Sequence, residues 1–358
     1  MAQKAETSFS KELQDITKTT ATGLCIALGS KMGLIKDLSQ REEPATPDDI
    51  AKSCRLKERY VREWCAAMAT GGILEITPDG EKYFLPVRMR EPLLGNDTSC
   101  MDAFFLLNAF PVLTGSDHMQ RFSKVMKEDG PSGLEFQPEV TVETDAYTFS
   151  MKLEVHHMKA MLCGNPHLKE QLEAGISVLE LGCNTGVLSF ELSKLFPASN
   201  FCGVDVDSNA ITQAQRRSDA IKSLNTDFKV QDITDFPEDW ENKFDYIFAF
   251  KVIHDVSKPR EALKNSWNVL KKGGKFSLFE YNLSSNPAEN VDNKLSPGIY
   301  LGSLMYCIPY SIGLNNGASL GAAWGIEKMT AYLEEAGFKD IQVVDKTCHP
   351  LVHIVAYK

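Results

Sequence analysis

Residues 176–186 read Ile-Ser-Val-Leu-Glu-Leu-Gly-Cys-Asn-Thr-Gly, and this stretch decides the fold. Ile176 to Leu181 is a largely apolar run of strand length, and Gly182 and Gly186 punctuate the turn behind it. Val187-Leu188-Ser189-Phe190-Glu191-Leu192 then opens a helical pattern. Strand, glycine turn and helix together present backbone N–H groups and a helix N-terminus to a ligand at the edge of a parallel α/β sheet. Gly182 permits turn angles closed to other residues, and Gly186 is expected to let the backbone pass close to a ligand. Glu180 narrows the choice of ligand. A pyrophosphate would be repelled by a carboxylate at the strand end, whereas a ligand carrying an ammonium and a sulfonium is compatible with it.

The pattern continues downstream. Phe201-Cys202-Gly203-Val204-Asp205 reads as a second strand closing on an acid, and Phe228-Lys229-Val230-Gln231-Asp232 as a third. Phe244–Phe250 reads as a fourth, and Leu270-Lys271-Lys272-Gly273-Gly274 as a turn into a fifth at Phe276–Tyr281. Acid-x-Gly-x-x-x-Gly at 180–186 followed by these segments in this order resembles the class I methyltransferases that use S-adenosylmethionine (SAM). The resemblance implies an α/β, Rossmann-like sheet and SAM as cofactor, with S-adenosylhomocysteine (SAH) as its product. It implies that Asp205 accepts hydrogen bonds from the two ribose hydroxyls and that Asp232 lies near the adenine amino group. Glu180, Gly182, Gly186, Ile233 and Phe250 complete the cofactor-binding set expected from it.

At 358 residues the chain suits more than one domain. Hydrophobic content of 43% and charged content of 24% are those of an ordinary globular protein. A net charge of −10 argues against general nucleic-acid binding. Nine cysteines without a C-x-x-C pair read as free thiols in a reducing compartment. No export signal is evident at the N-terminus, and Phe104–Phe110, a buried-helix candidate, is too short to span a bilayer. A cytoplasmic protein is expected, with neither a membrane nor a nucleic-acid partner.

Upstream, residues 11–38 carry a helical pattern broken at Gly33, with Leu24, Ala27, Leu28, Met32, Leu34 and Ile35 as its apolar face. Thr46-Pro47-Asp48-Asp49 is a helix start, and a second helix runs from Lys57 to Thr70, ending at Gly71-Gly72. Strand, turn and strand follow over 73–85, so the module reads as a winged helix. Arg55, Lys57, Arg59 and Arg62 offer a basic face to DNA in one reading. In the other they are a solvated face over a core of Leu56, Tyr60, Val61, Trp64, Cys65 and Met68, and the acidic chain favours this one. The layout is similar to small-molecule O-methyltransferases whose winged-helix domain dimerises, and to a less characterised bacterial and animal branch. A homodimer is therefore implied. Domains are expected at 1–100, 101–170 (a helical linker and pocket cover) and 171–358.

His254, in Phe250-Lys251-Val252-Ile253-His254-Asp255, lies just past the fourth strand, where open α/β sheets bind ligands. The plant-type O-methyltransferases place a His-Asp-Trp there with the histidine as base; here Val256 replaces the tryptophan. A histidine suits a general base near neutral pH. The alternative is a histidine that only shapes the pocket, and Asp255 either orients the ring or caps the next helix. Glu280, ending the fifth strand, is also within the pocket's reach. Tyr300, Tyr306, Tyr310 and Trp324, in a glycine-rich insertion, are the expected acceptor-binding residues, with a structural cover as the alternative. His156-His157 cannot share a helix face, and no metal is expected. The function implied is methyl transfer to a small molecule, O- favoured slightly over N-methylation. The rival is a winged-helix regulator that senses SAM without catalysis. A dehydrogenase is disfavoured, because 182–186 lacks G-x-G-x-x-G spacing.

Overall fold

The computed structural model describes residues 2–94, 116–135, 155, 158, 166–220, 225–313, 317–345 and 351–358. Phe104–Phe110 and the His156-His157 pair lie outside these residues. The chain divides into two units, Met1–Gly115 and Ser116–Lys358, so the described part of the expected 101–170 segment falls in the second.

In the first unit the helices are α1 (Ala2–Lys31), α2 (Leu34–Ser39), α3 (Pro47–Cys54) and α4 (Glu58–Thr70). Strands β1 (Glu75–Ile76) and β2 (Tyr83–Phe84) pair antiparallel, and α5 (Val87–Leu94) follows. Ala45 bridges Tyr83 on the outer side, completing the wing. Gly33 breaks the first helical run at φ +77°. Thr46 caps α3 by a reciprocal capping box, its hydroxyl accepting from Asp49 N–H while the Asp49 carboxylate accepts from Thr46 N–H. Val61, Trp64, Cys65 and Met68 of α4 are buried with Leu38, Ile50 and Leu85.

Two expectations fail here. Tyr60 is 73% exposed rather than in the core. At 100° per residue it sits roughly 90° from the centre of the stripe that Val61, Trp64, Cys65 and Met68 define. Leu24, Leu28 and Met32 are exposed too, because α1 turns Ile26 and Ala27 inward. The Trp64 indole lies against Gly29 and donates to the Cys25 carbonyl at 2.8 Å.

The second unit carries α6 (Ser116–Val125) and α7 (Pro166–Ala174), then β3 (Ser177–Leu181), α8 (Val187–Leu195), β4 (Asn200–Asp205), α9 (Ser208–Ala220), β5 (Thr226–Val230) and β6 (Phe244–Phe250). After α10 (Pro259–Val269) come β7 (Leu270–Tyr281), α11 (Ser296–Gly302), a π turn (Ser303–Cys307), α12 (Ile308–Gly313), α13 (Ile326–Ala336), β8 (Lys339–Asp345) and β9 (Leu351–Tyr357). The sheet order is β5-β4-β3-β6-β7-β9-β8, parallel except that β9 runs antiparallel to both its neighbours. Both faces are covered, so the central strands are apolar on both sides. Ile247 and Ala249 face the α10 and α13 side, and Tyr246, Phe248 and Phe250 the side of Leu168, Leu172, Leu188 and Leu192.

The chain leaves β3 toward β4 and β5, then returns to place β6 on the other flank of β3. That reversal opens a crevice at the carboxyl ends of β3 and β6. Glu180, Asp205, Lys251 and Glu280 all stand at this edge, as the parallel register dictates.

Candidate active site

The glycine turn is built as a tight crossing. Gly182 has φ +61°, and a Cβ there would stand 2.6 Å from a Val252 methyl. Gly186, at φ +71°, is also demanded by packing. A Cβ on it would meet the Phe228 ring at 2.4 Å and Ala214 at 2.9 Å, so it lets α8 pack onto the sheet. Gly186→Ala combines left-handed strain with overpacking, together roughly 2–4 kcal/mol. Its thermal unfolding is expected several degrees below the parent's.

Glu180 is buried at 3% exposure. Its Oε2 accepts from Ser189 N–H at 3.0 Å and Ser189 Oγ at 2.5 Å, so the carboxylate also caps the first turn of α8. Asp205 accepts from the N–H groups of Asn184 and Asp207, each at 2.9 Å. Burial raises its pKa, and these backbone donors work against the rise. One oxygen of Asp232 is taken by the N–H and hydroxyl of Thr234. The Ile233 side chain belongs to the core, and the Phe250 ring packs on Phe279 with centroids 5.6 Å apart.

The opposite wall begins with a strained residue. Lys251, at the end of β6, has φ +54°, and the backbone turns there to deliver Val252–Asp255. His254 follows, buried at 3% exposure, with Nδ1 2.6 Å from Oε2 of a fully buried Glu280. Its Nε2 is 3.4 Å from Asp255 Oδ1. The side chain that orients the ring is thus Glu280, from β7. Asp255 does not cap α10, whose N-cap is Lys258 without a side-chain hydrogen bond. Burial pulls the His254 pKa down, but Asp255 and Glu280 outweigh it and hold the pKa well above 6.5. The Cys307 thiol, pushed up to about 11 by burial, is neutral near pH 7 and hydrogen-bonds the same imidazole.

Of the four expected acceptor residues, the structure brings two to this wall. Tyr306 and Tyr310 have ring centroids 4.7 Å apart, and burial and the Asp255 charge both raise the Tyr306 pKa. Tyr300 is tied to the 284–290 turn, its hydroxyl accepting from Asn290 Nδ2 at 3.0 Å. Trp324 is 1% exposed and packs edge-on to Tyr332 within the α10–α13 core, which corrects its expected place in the pocket. Its aromatic character suited either environment, and only packing distinguishes them.

His254, Asp255 and Cys307 also bring three potential metal donor atoms within 4.8 Å of one another, a convergence the sequence does not foresee. A cation held there would have to displace the proton of the raised thiol. His118 on α6, whose ring is 6.5 Å from Tyr310, likewise carries no sequence signal. The signal for Glu280 is present, a single acid inside the apolar strand Phe276–Tyr281.

Residues 172–337 match the family model described as a methyltransferase domain, and residues 20–93 match an Rv2258c-like winged HTH domain. The chain therefore carries a methyltransferase domain behind a winged helix-turn-helix domain. A ubiquinone biosynthesis O-methyltransferase of Coxiella burnetii is 30% identical over 155 residues, 40% of this chain and 64% of that protein. The chain thus spans a little under two thirds of the length of this curated relative. Human N-acetylserotonin methyltransferase, solved with SAM, superposes with a TM-score of 0.65 at 17% identity, covering 98% of this chain and 97% of that one. Mitomycin 7-O-methyltransferase gives 0.68 at 13% identity, with 99% of each chain covered. These likenesses show a shared two-part fold.

Proposed function

We propose that this protein transfers a methyl group from SAM to a hydroxyl of a small-molecule acceptor, with His254 as general base and Glu280 as its orienting partner. The observation that carries the reading is the buried 2.6 Å contact between His254 Nδ1 and Glu280, at the sheet edge beside the glycine turn. Bound SAM supplies a methyl group on a sulfonium and leaves as SAH.

The residues present fit that cofactor. Asp205 retains lone pairs for two hydroxyl donors after accepting two backbone N–H groups. Asn184 Oδ1, in the same turn, is buried without a hydrogen-bond partner among the described residues. Glu280 holds the imidazole with Nδ1 as donor, so Nε2, which lies beside Asp255 and Cys307, is the nitrogen that would take the hydroxyl proton. Tyr306 and Tyr310, their rings tilted by 57° to each other, supply an aromatic wall for the acceptor.

Calorimetric titration with SAH tests the cofactor half: micromolar binding supports it, and a folded protein that binds none defeats it. Asp205→Ala removes charge-assisted acceptors worth about 1.5–3 kcal/mol each, so with two hydroxyls SAH affinity is expected to fall roughly 10²- to 10⁴-fold in the same experiment. Asp205→Asn keeps one carbonyl for the turn and serves as the fold control.

The winged helix supports a role other than DNA binding. Arg59 pairs with Glu63 at 2.6 Å and Arg62 with Glu58 at 2.5 Å along α4, so two of the four basic residues are answered on their own helix. Leu13, Ile16, Leu24 and Leu28 of α1, each about half exposed or more, fit a homodimer that covers them. Leu24→Glu with Leu28→Glu is expected to shift the mass measured by light scattering from dimer to monomer.

A further inference from the structure

Pro309 lies two residues beyond Cys307 in the helical segment Ser296–Gly313. In an α-helix the N–H of residue 309 would bond the carbonyl of Met305. Proline has no N–H, and its ring crowds that carbonyl. The helix opens at this point. Ser303–Cys307 take the π pattern, and Ile308 N–H reaches back five residues to Ser303 O.

Another element reaches the Met305 carbonyl: His118 of α6 places Nε2 2.9 Å from it. A carbonyl only accepts, so this nitrogen carries the proton. His118 is buried, and so is Met305. A second fastening lies one turn on, where Leu134 N–H donates to Pro309 O at 2.8 Å. There the backbones touch: a Cβ on Gly133 would stand 2.4 Å from Gly313 N, and one on Gly313 2.0 Å from Leu134 O.

We infer that His118 is a positioning residue of the acceptor wall: it takes the Met305 carbonyl that Pro309 leaves without its helical donor, and so holds the π turn that sets Tyr306 near Asp255 and Cys307 against His254. The purpose of the wall rests on the methyl-transfer reading, whereas the hydrogen bond and the turn stand without it. The turn matters to the wall because the extra residue of a π turn rotates the side chains beyond it about the helix axis. Cys307 ends the turn, and its thiol bonds the imidazole that the base mechanism uses.

Alkylation of Cys307 by iodoacetamide, located by peptide mass mapping in the full-length protein, reads the turn without any acceptor. His118→Ala is expected to raise the rate about 5- to 10-fold, the factor that one hydrogen bond of about 1–1.4 kcal/mol represents. The Leu134 bond and the Gly133–Gly313 contact keep the segment docked, so the variant should fold. His118→Gln, whose amide N–H can reach the same carbonyl, should return the rate to within about twofold of the parent. Pro309→Ala restores a backbone N–H for Met305, and adding His118→Ala to it should change nothing further.

A His118→Ala protein alkylated as slowly as the parent would overturn the assignment. So would a His118→Gln protein as fast as the alanine variant, or His118→Ala and Pro309→Ala effects that simply add. SAH titration of the same proteins keeps the two readings apart. A parent that binds no SAH defeats the methyl-transfer reading, and the thiol rates still decide on His118.

Discussion

His254→Ala lowers kcat/KM for a hydroxyl acceptor by about 10²- to 10⁴-fold, the usual contribution of a general base, and leaves SAH affinity unchanged. The expectation follows from position: His254 stands past the end of β6, whereas most of the proposed cofactor-binding residues lie at the glycine turn and at the ends of β4 and β5. The check is steady-state kinetics on the first acceptor found by screening, paired with calorimetry. A much smaller loss would assign the acceptor as an amine, which needs no strong base when it is already neutral. An unchanged rate would reduce His254 to a pocket-shaping residue.

Glu280→Gln is expected to lower kcat/KM comparably, about 10²- to 10⁴-fold, and also to move its pH dependence. Both effects have the same origin. Glu280 and Asp255 hold the His254 pKa well above 6.5 against the downward pull of burial. The raised pKa favours the protonated imidazole, and the base form gains as pH rises. In the parent, kcat/KM should climb with pH along a limb that lies above the ordinary histidine range. Glutamine removes one of the two carboxylates, so the limb moves to lower pH. Its amide can also donate to Nδ1, which turns the proton-bearing face of the ring toward the acceptor and leaves Nε2 unable to accept. A pH–rate profile of the two proteins decides the matter. A limb at the same pH in both would show that Glu280 does not set the basicity of His254.

The cofactor side was readable because its parts are local. A strand, a turn that needs positive φ at Gly182 and an acid ending the next strand succeed one another in sequence, and each is fixed within a few residues by backbone sterics and hydrophobic period. The family resemblance names Asp205, and the parallel sheet places it with the other strand ends at one edge. The sequence marks Gly186 as the place where the backbone passes a ligand, and the structure adds that the Phe228 ring fills the space its Cβ would need. That contact needs a partner 42 residues away.

The acceptor side was less readable because its parts are remote. His254 and Glu280 are separated by 26 residues and His118 and Met305 by 187, and no periodicity couples such positions. Trp324 and Tyr306 look alike as aromatic residues among glycines, yet one is locked in the core and the other stands near Asp255.

By itself, then, the sequence determined the doubly wound sheet, the winged helix with its Thr46 cap, and the strand-end acids. Strand alternation, capping and glycine turns are properties of short stretches. Only the tertiary structure decided that Glu280 orients His254, that Cys307 completes its surroundings, and that Trp324 is core. Those assignments depend on which side chains the crossovers and the π turn bring within hydrogen-bonding or packing distance, and that is set by the packing of the whole unit.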